Sequence, residues 1–368
     1  MKIIAFAKHA GGGIRTYLYY VYSQPVMADC DFKIVAPMNE NVHRLVHAEQ
    51  NISVFGESKE HTNRSLLREL IRAVRQEKPD IVQSHGFTAG LLAALPLKLL
   101  GIKHVITTHD VFVNNVFEGA RGKLKWWLLY AAFSLADRVN PVGHDAGDNL
   151  IASFPRLPRS KISVIRNGIP SNHFLGDSAR ELRKEADIPA GSLVAGFFGR
   201  FMSQKGFRTL VEAVKMYNSA SGDARLHVCC FGWGGFIREE QQALKEAGLD
   251  RFFSFFPATE NMAEAIRGVD FVVMPSKWEA CPLLAMETLV AGRPLVASNC
   301  IGLKEVTEGQ PVLKFSVGDS GELLEQVRRF ETEAESLQVA VDANRSRAAE
   351  TFDVSETAEK LRGLFGQL

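Results

Sequence analysis

The segment 270–298 constrains the fold more than any other part of the sequence. Residues 271–274 form a short apolar run, which is typical of a parallel strand that is buried on both faces. After a loop, Pro282 opens an apolar segment that Gly292 ends, and this pattern predicts a buried helix. A second apolar run follows at 295–297. The order strand, loop, helix, turn, strand predicts one unit of a parallel α/β sheet.

Two acids in this segment are the candidate functional groups. Glu279 lies in the loop after the first strand, at the sheet edge where open parallel sheets bind ligands. Glu287 is the only charge of the apolar helix, and a buried carboxylate needs a partner. In one interpretation, both acids accept hydrogen bonds from sugar hydroxyls, and a phosphate lies nearer the N–H groups at the start of the helix. In the other, Glu279 is a solvated loop acid and Glu287 is paired with a structural arginine.

Short apolar runs alternate with amphipathic segments along the whole chain. Strands are predicted at 2–7, 32–36, 51–55, 81–84, 104–108, 138–141 and 162–165, and again at 193–199, 226–231, 252–256, 271–274, 295–297 and 312–315. Helices are predicted between them, which gives parallel sheets covered on both faces. Asn-Gly and Pro at 167–170 are turn formers and place a linker there. We therefore predict an α/β protein with two doubly wound, Rossmann-like domains, 1–168 and 169–352.

Composition restricts the environment of the chain. Its five cysteines form no spaced pairs suited to a metal, and an odd number with adjacent members favours a reducing compartment. The first apolar run is too short for a signal peptide, and no segment approaches the roughly 20 apolar residues of a spanning helix. A cytoplasmic protein is expected.

Charge is unevenly distributed along the chain. Residues 1–170 carry 21 Lys+Arg against 14 Asp+Glu, and the remainder carries 22 against 28. Within the basic part, segment 121–136 combines cations with Trp126 and Trp127, a composition typical of an interfacial helix. A core helix with a basic first turn fits the same residues. The basic part suits an anionic membrane face or acceptor, or is an ordinary solvated surface.

Other polar groups follow predicted strands. A glycine-rich turn containing Gly12 and Gly13 follows the first strand and would let the backbone approach a diphosphate, although a tight turn without a ligand has the same sequence. It is not the dinucleotide fingerprint, because the third glycine is absent. His85 and His109 each follow a strand, at the functional edge of the sheet.

Arg200 and Lys205 occupy the loop after the strand at 193–199. An arginine can clamp a diphosphate with two hydrogen bonds, and a nearby lysine adds a point charge. Structural salt bridges are the alternative role for these two cations.

Taken together, these motifs resemble those of retaining glycosyltransferase family four, part of glycosyl transferases group 1, whose members have the GT-B fold. The family's donor-site pattern reads Pro275-Ser276, then Glu279, then Glu287 eight positions later. Gly-Arg…Lys-Gly at 199–206, Thr-Thr-His-Asp at 107–110 and Asn-Gly-Ile at 167–169 match further family motifs. The common turn Glu-Gly-Phe-Gly reads Glu-Ala-Cys-Pro here, a departure that concerns the contacts to the donor sugar.

The resemblance implies two Rossmann-like domains that face each other across a cleft, with the last helix, 353–368, packed back on the first domain. It implies metal-independent, retaining transfer from a UDP- or GDP-sugar to a glycan or lipid-linked acceptor, without a cofactor or a nucleic-acid partner. The setting it suggests is bacterial lipopolysaccharide or polysaccharide synthesis, with peripheral contact to the cytoplasmic face of the inner membrane.

Site residues follow from the same resemblance. The catalytic set is His109, Glu279, Arg200 and Lys205. The donor-binding set is Gly12, Gly13, Arg200, Lys205, Gly232, Pro257, Glu279, Cys281, Pro282, Leu283 and Glu287. The acceptor side has Arg15, His85 and Asp110, and no residue is assigned to a metal.

Two other functions remain open. One is an epimerase of GT-B fold that acts on a nucleotide sugar without an acceptor, and the other is a non-catalytic homologue that binds a nucleotide or glycan. Release of nucleoside diphosphate that depends on an acceptor would distinguish transfer from both.

Overall fold

The computed structural model describes residues 1–37, 51–55, 62–113, 115–219, 226–232, 234, 236–259 and 261–368. Its contacts divide the chain into two compact units. Unit 1 comprises 1–168 and 354–368, and unit 2 comprises 169–353. Among the described residues, each unit contains one six-stranded sheet in which every pairing is parallel. The prediction of an α/β protein with two parallel-sheet domains is confirmed.

The sheet of unit 1 has the strand order β3-β2-β1-β4-β5-β6. Its strands are β1 (Lys2–Ala7), β2 (Asp31–Val35), β3 (Ile52–Val54), β4 (Ile81–His85), β5 (Lys103–Thr108) and β6 (Arg138–Pro141). The helices described in this unit are α1 (Gly13–Tyr22), α2 (Asn63–Glu77), α3 (Phe87–Leu99), α4 (Gly119–Leu135), α5 (His144–Ser153) and α13 (Val354–Gly366).

Both faces of this sheet are covered, which explains why its strands are almost wholly apolar. On one face, Ile3 and Ala5 of β1 pack with α1 and α13. On the other face, Ile4 and Phe6 pack with α2 and α3. The alternation of side chains along a strand thus supplies two hydrophobic cores from one segment.

The sheet of unit 2 has the order β12-β11-β10-β7-β8-β9. Its strands are β7 (Leu193–Phe198), β8 (Leu226–Phe231), β9 (Phe253–Phe256), β10 (Phe271–Met274), β11 (Leu295–Ser298) and β12 (Val312–Phe315). The helices described here are α6 (Leu182–Glu185), α7 (Phe207–Ser219), α8 (Ile237–Glu246), α9 (Met262–Arg267), α10 (Leu283–Val290), α11 (Leu303–Val306) and α12 (Ser320–Thr351).

One predicted strand is wrong. Residues 162–165 run beside β6, and the Ser163 N–H donates to the Val139 carbonyl, but only an isolated bridge forms at Ile162. The next bond of a parallel ladder would need an N–H at residue 141, which is a proline and has none. The side-chain amide of Asn140 donates to the Ser163 carbonyl instead, at 2.9 Å.

Among the residues that the structure describes, none of the helices combines the length and the apolar character that crossing a membrane requires.

Candidate active site

Three loops at the carboxyl edge of the unit 2 sheet converge on Glu279. The side chain of Lys205, from the loop after β7, lies 2.6 Å from one Glu279 carboxylate oxygen. The Ser276 hydroxyl donates to the same oxygen at 2.7 Å, and the Glu279 N–H donates to the Ile301 carbonyl, which follows β11. Glu279 is only 6% exposed. The interpretation of Glu279 as a solvated loop acid is therefore wrong, because it is a buried partner of a lysine.

Backbone contacts lock the loops after β7 and β10 together. The Lys277 N–H donates to the Gln204 carbonyl at 2.7 Å, and the Gln204 amide donates to the Trp278 carbonyl at 2.9 Å. Gly206 has φ of +67°, and a Cβ there would overlap the carbonyl oxygen of Pro275. Glycine is required at 206 for both reasons. The loop that carries Lys205 is thus held rigidly against the loop that carries Glu279.

The two predicted phosphate-binding cations have different surroundings. Lys205 forms an ion pair with Glu279, so the predicted structural salt bridge is present for this cation. Arg200 is exposed at the end of β7, and its side chain has no hydrogen-bond or ion-pair partner among the described residues. Arg200 is therefore available to bind an anion.

Helix α10 follows Glu279 directly and brings several predicted donor-binding residues to the same edge. Pro282 is its N-cap residue, and Cys281 and Pro282 are buried, whereas Leu283 is half-buried. The first N–H groups of a helix lack intrahelical partners and attract anions. Glu287 lies one turn further along and is only 6% exposed.

Gly232 and Pro257 follow β8 and β9 at this edge. A Cβ on Gly232 would overlap the Gly199 carbonyl. Residue 232 is therefore a glycine because the loops after β7 and β8 approach each other closely here. Pro257 is exposed.

An aromatic ladder beside these loops was missed by sequence reasoning. Phe198, Phe231 and Phe256 stack in succession with ring centroids 5.0 and 4.8 Å apart. The Arg180 guanidinium lies over the last two rings at 5.5 and 5.2 Å and forms a double hydrogen bond with Glu185. The register that aligns the three rings was not visible in the sequence, since each Phe ends a different strand.

In unit 1, the structure brings His85 and His109 together. His85 ends β4 and His109 directly follows the neighbouring β5, and His85 Nδ1 lies 3.0 Å from His109 Nε2. The Tyr17 ring packs edge-on against His109 with centroids 4.9 Å apart. Burial lowers the pKa of His85 well below its usual value and that of His109 to about 3. Both imidazoles are therefore neutral at pH 7.

The other predicted residues of unit 1 lie on the surface of the same sheet edge. Gly12 has φ of +58° and precedes α1, and a Cβ on Gly13 would meet no atom within 4 Å. Packing therefore does not require glycine at 13. Arg15 is half-buried and engaged in an interaction, and Asp110 is exposed and accepts the Val111 N–H at 2.9 Å.

Helix α4, which contains most of segment 121–136, has one packed face and one exposed face. Trp126 packs inward, stacks on Tyr130 and Phe154, and donates its indole N–H to the Ser153 carbonyl at 2.8 Å. Trp127 faces solvent and is 57% exposed. Further exposed apolar side chains lie on α4 and at the end of α3, a helix that packs against α4: Leu95, Leu99, Leu100, Leu124 and Leu128.

Comparison with known families agrees with this architecture. Residues 11–173 match the model of Glycosyltransferase Family 4, and residues 192–332 match that of Glycosyl transferases group 1. Together the two matches span most of both units. The chain belongs to glycosyltransferase family four and is a glycosyltransferase of GT-B fold.

The sequence identity to individual relatives is low, but each match covers most of this chain and of the relative. Alpha-maltose-1-phosphate synthase of Mycolicibacterium smegmatis is 23% identical over 304 residues, which cover 77% of this chain and 78% of the relative. The UDP-Gal:alpha-D-GlcNAc-diphosphoundecaprenol alpha-1,3-galactosyltransferase of Escherichia coli is 23% identical, covering 86% and 81%. The crystal structure of Anabaena HepE in complex with UDP-glucose has a TM-score of 0.84 at 18% identity and covers all of both chains.

Proposed function

We propose that this glycosyltransferase transfers a sugar from a UDP-sugar to a glycan or lipid-linked acceptor, with retention at the reacting carbon and without a metal ion. The observation that carries the proposal is the convergence of three loops on Glu279, with Lys205 2.6 Å from its carboxylate, at the same sheet edge where Arg200 is exposed and α10 begins. Cations and helix N–H groups suit the charge that develops on a leaving diphosphate.

The proposed roles are those that the family resemblance implies. Arg200 and Lys205 hold the diphosphate, and Glu287 accepts hydrogen bonds from ribose. Glu279 and the N–H groups of Cys281 and Leu283 bind sugar hydroxyls, and His109 contacts the transferred sugar. UDP is favoured as the nucleotide because one similar structure holds UDP-glucose and one relative is named for UDP-Gal. The lipid-linked acceptor is favoured by the name of that same relative, a diphosphoundecaprenol galactosyltransferase.

The donor is identified by calorimetry with UDP, GDP and ADP, followed by their sugars. Arg200→Ala is the informative variant, because Arg200 is exposed and its removal disturbs no internal pair. Loss of a charge-assisted contact should weaken UDP binding roughly 10- to 100-fold. Arg328→Ala, on the exposed side of α12, is the matched control and should bind UDP normally. Equal affinities of both variants would contradict the assignment of the diphosphate site.

Transfer itself is tested by following UDP release with and without acceptor lipids. Release that requires an acceptor supports transfer and excludes an epimerase or a non-catalytic binding protein. Activity should persist in a chelator. Activity that is lost in the chelator and restored by manganese or magnesium would contradict the metal-independent mechanism.

We also propose that the exposed apolar surface of α3 and α4 contacts an anionic membrane, where a lipid-linked acceptor would reside. Lys123 and Lys125 flank Leu124 and Trp127 on this surface, and the combination of cations with apolar side chains suits a lipid interface. Trp127→Ser should reduce flotation with phosphatidylglycerol vesicles. Val339→Ser, at an exposed apolar position of α12, should not. Equal flotation of both variants would refute the surface.

A further inference from the structure

A continuous chain of buried hydrogen bonds crosses unit 1 from the edge strand β6 to His109. It is formed by side chains of β6, β5, β4 and α1, and it ends at the histidine pair described above. Its members in order are Asn140, Thr107, Gln83, Tyr22, His85 and His109. Every group except His109 is buried. Water therefore has little access to its interior, and each proton must be placed by the groups themselves.

The backbone fixes the direction of this chain at its β6 end. The Asn140 amide nitrogen lies 2.9 Å from the Ser163 carbonyl and 3.2 Å from the Pro141 carbonyl, and carbonyls only accept. The amide oxygen of Asn140 therefore faces the Thr107 hydroxyl and accepts its proton, at 3.2 Å. With that proton committed, the Thr107 oxygen must accept from Gln83.

The donor and the acceptor of each following hydrogen bond, as far as the histidines, can be assigned in the same way. The Gln83 amide nitrogen donates to Thr107 at 2.7 Å, so its amide oxygen accepts from the Tyr22 hydroxyl, also at 2.7 Å. A phenol has one proton, and Tyr22 has now given it to Gln83. At the 3.0 Å contact between Tyr22 and His85, the ring nitrogen Nε2 must therefore be the donor.

His85 can carry only this one proton. It is 2% exposed, and burial keeps its pKa well below the ordinary value, so the ring is neutral. Its Nδ1 is then a bare acceptor, and the group 3.0 Å away, Nε2 of His109, must supply the proton of that hydrogen bond.

We infer that the chain from Asn140 to His85 fixes His109 as the neutral Nε2–H tautomer, which leaves Nδ1 of His109 as a hydrogen-bond acceptor. His85 and Tyr22 are positioning residues in this arrangement. The inference deepens the proposed function and rests on it for the identity of the ligand. An acceptor nitrogen repels phosphate oxygens and binds hydroxyl groups, so His109 contacts a sugar hydroxyl and not the diphosphate.

The tautomers can be measured directly by nitrogen NMR of the ligand-free protein at pH 7, with no requirement for activity. Both His85 and His109 should show a protonated Nε2 and an unprotonated Nδ1. Tyr22→Phe removes the hydroxyl but keeps the ring, which stacks on Phe32 with centroids 3.8 Å apart. This variant should convert each histidine signal to a mixture of tautomers.

Tyr19→Phe is the matched control, since Tyr19 lies on the same helix but outside the chain, and it should leave the tautomers unchanged. A wild-type His109 that carries its proton on Nδ1, or that is doubly protonated at pH 7, would overturn the inference. Unchanged tautomers in Tyr22→Phe would overturn it as well.

Substitutions of His85 test the positioning role in turnover. In His85→Asn the side-chain oxygen can take the place of Nδ1 as acceptor, whereas His85→Phe offers no acceptor. His85→Phe should reduce kcat roughly tenfold, which corresponds to the loss of one hydrogen bond, and should leave UDP affinity unchanged. His85→Asn should retain most of kcat. Equal losses in both variants, or a loss of UDP affinity, would refute the positioning role. If no acceptor supports transfer, the proposed function fails, while the NMR result still decides the tautomer.

Discussion

The ion pair between Lys205 and Glu279 provides the sharpest test of the site, because its two members are unequally buried. The Glu279 side chain is 8% exposed and that of Lys205 is 22% exposed. Lys205→Met removes the cation and leaves a buried carboxylate that retains only the Ser276 hydroxyl among its side-chain donors. Stranding a buried charge in this way costs about 3–5 kcal/mol.

Glu279→Gln should cost less. The Lys205 ammonium can turn toward water, and the glutamine amide can still accept from Ser276. Unit 2 has the size for which 1 kcal/mol shifts the melting temperature by about 2–4 °C, so Lys205→Met should lower it by roughly 6–20 °C. The double variant, which has no stranded charge, should recover much of this loss.

Differential scanning calorimetry of the wild type, the two single variants and the double variant measures the coupling. A Lys205→Met variant that is no less stable than Glu279→Gln would show that Glu279 is not left as an uncompensated buried charge. A double variant that loses the sum of both effects would show the same. UDP binding to the same proteins separates stability from function, since the proposed diphosphate role requires that Lys205→Met also bind UDP more weakly at temperatures where it is folded.

Further predictions concern other residues of the fold and the site. Glu287→Gln should weaken UDP binding, because a neutral acceptor replaces a charged one; a loss of stability worth about 3–5 kcal/mol with normal UDP affinity would instead identify a structural ion pair. Burial lowers the pKa of His104 to about 3 and that of His227 to about 4, so the unfolded chain binds protons that the folded chain does not, and stability is lost as pH falls below about 6.5. At pH 5 each histidine should reduce stability by about 2 kcal/mol relative to neutral pH, and equal melting temperatures at pH 5 and 7 would contradict this. Gly206→Ala should fold poorly because its Cβ overlaps the opposing loop, whereas Gly13→Ala should melt as the wild type does. A loss of transfer in Gly13→Ala without loss of stability would show that this glycine serves a ligand.

Local sequence pattern was sufficient to predict the α/β class and all but one of the predicted strands, whereas the GT-B fold came from the family resemblance. Strands buried on both faces produce continuous apolar runs, and the glycines and prolines between them mark their ends. The failure at 162–165 has a cause outside the segment itself, since the proline at 141 that interrupts the ladder belongs to the partner strand. A strand forms only when two segments can exchange backbone hydrogen bonds, and the apolar pattern of one segment does not show whether its neighbour has the N–H groups to donate.

The candidate site was predictable only in part. Strand ends and the resemblance led to Glu279, Lys205 and His109, because position along a strand determines which edge of the sheet a residue occupies. The pairing of Lys205 with Glu279 and the burial of Glu279 depend on three loops that are distant in sequence. The role of Tyr22 was invisible for the same reason, since a tyrosine in an apolar helix looks like an ordinary core residue until its hydroxyl partner is known.

The return of α13 to unit 1 has a consequence for the order in which the protein is made. Leu361, Leu364 and Phe365 of this helix belong to the same hydrophobic core as Ile3 and Leu18 from the start of the chain. Unit 2 is continuous in sequence and can close its core as soon as residue 353 has left the ribosome. Unit 1, although synthesised first, must wait with one face of its sheet only partly covered, by α1, until α13 emerges. Unit 2 can therefore complete its core before unit 1 does, and the strands made first are those whose apolar face stays partly exposed longest during synthesis.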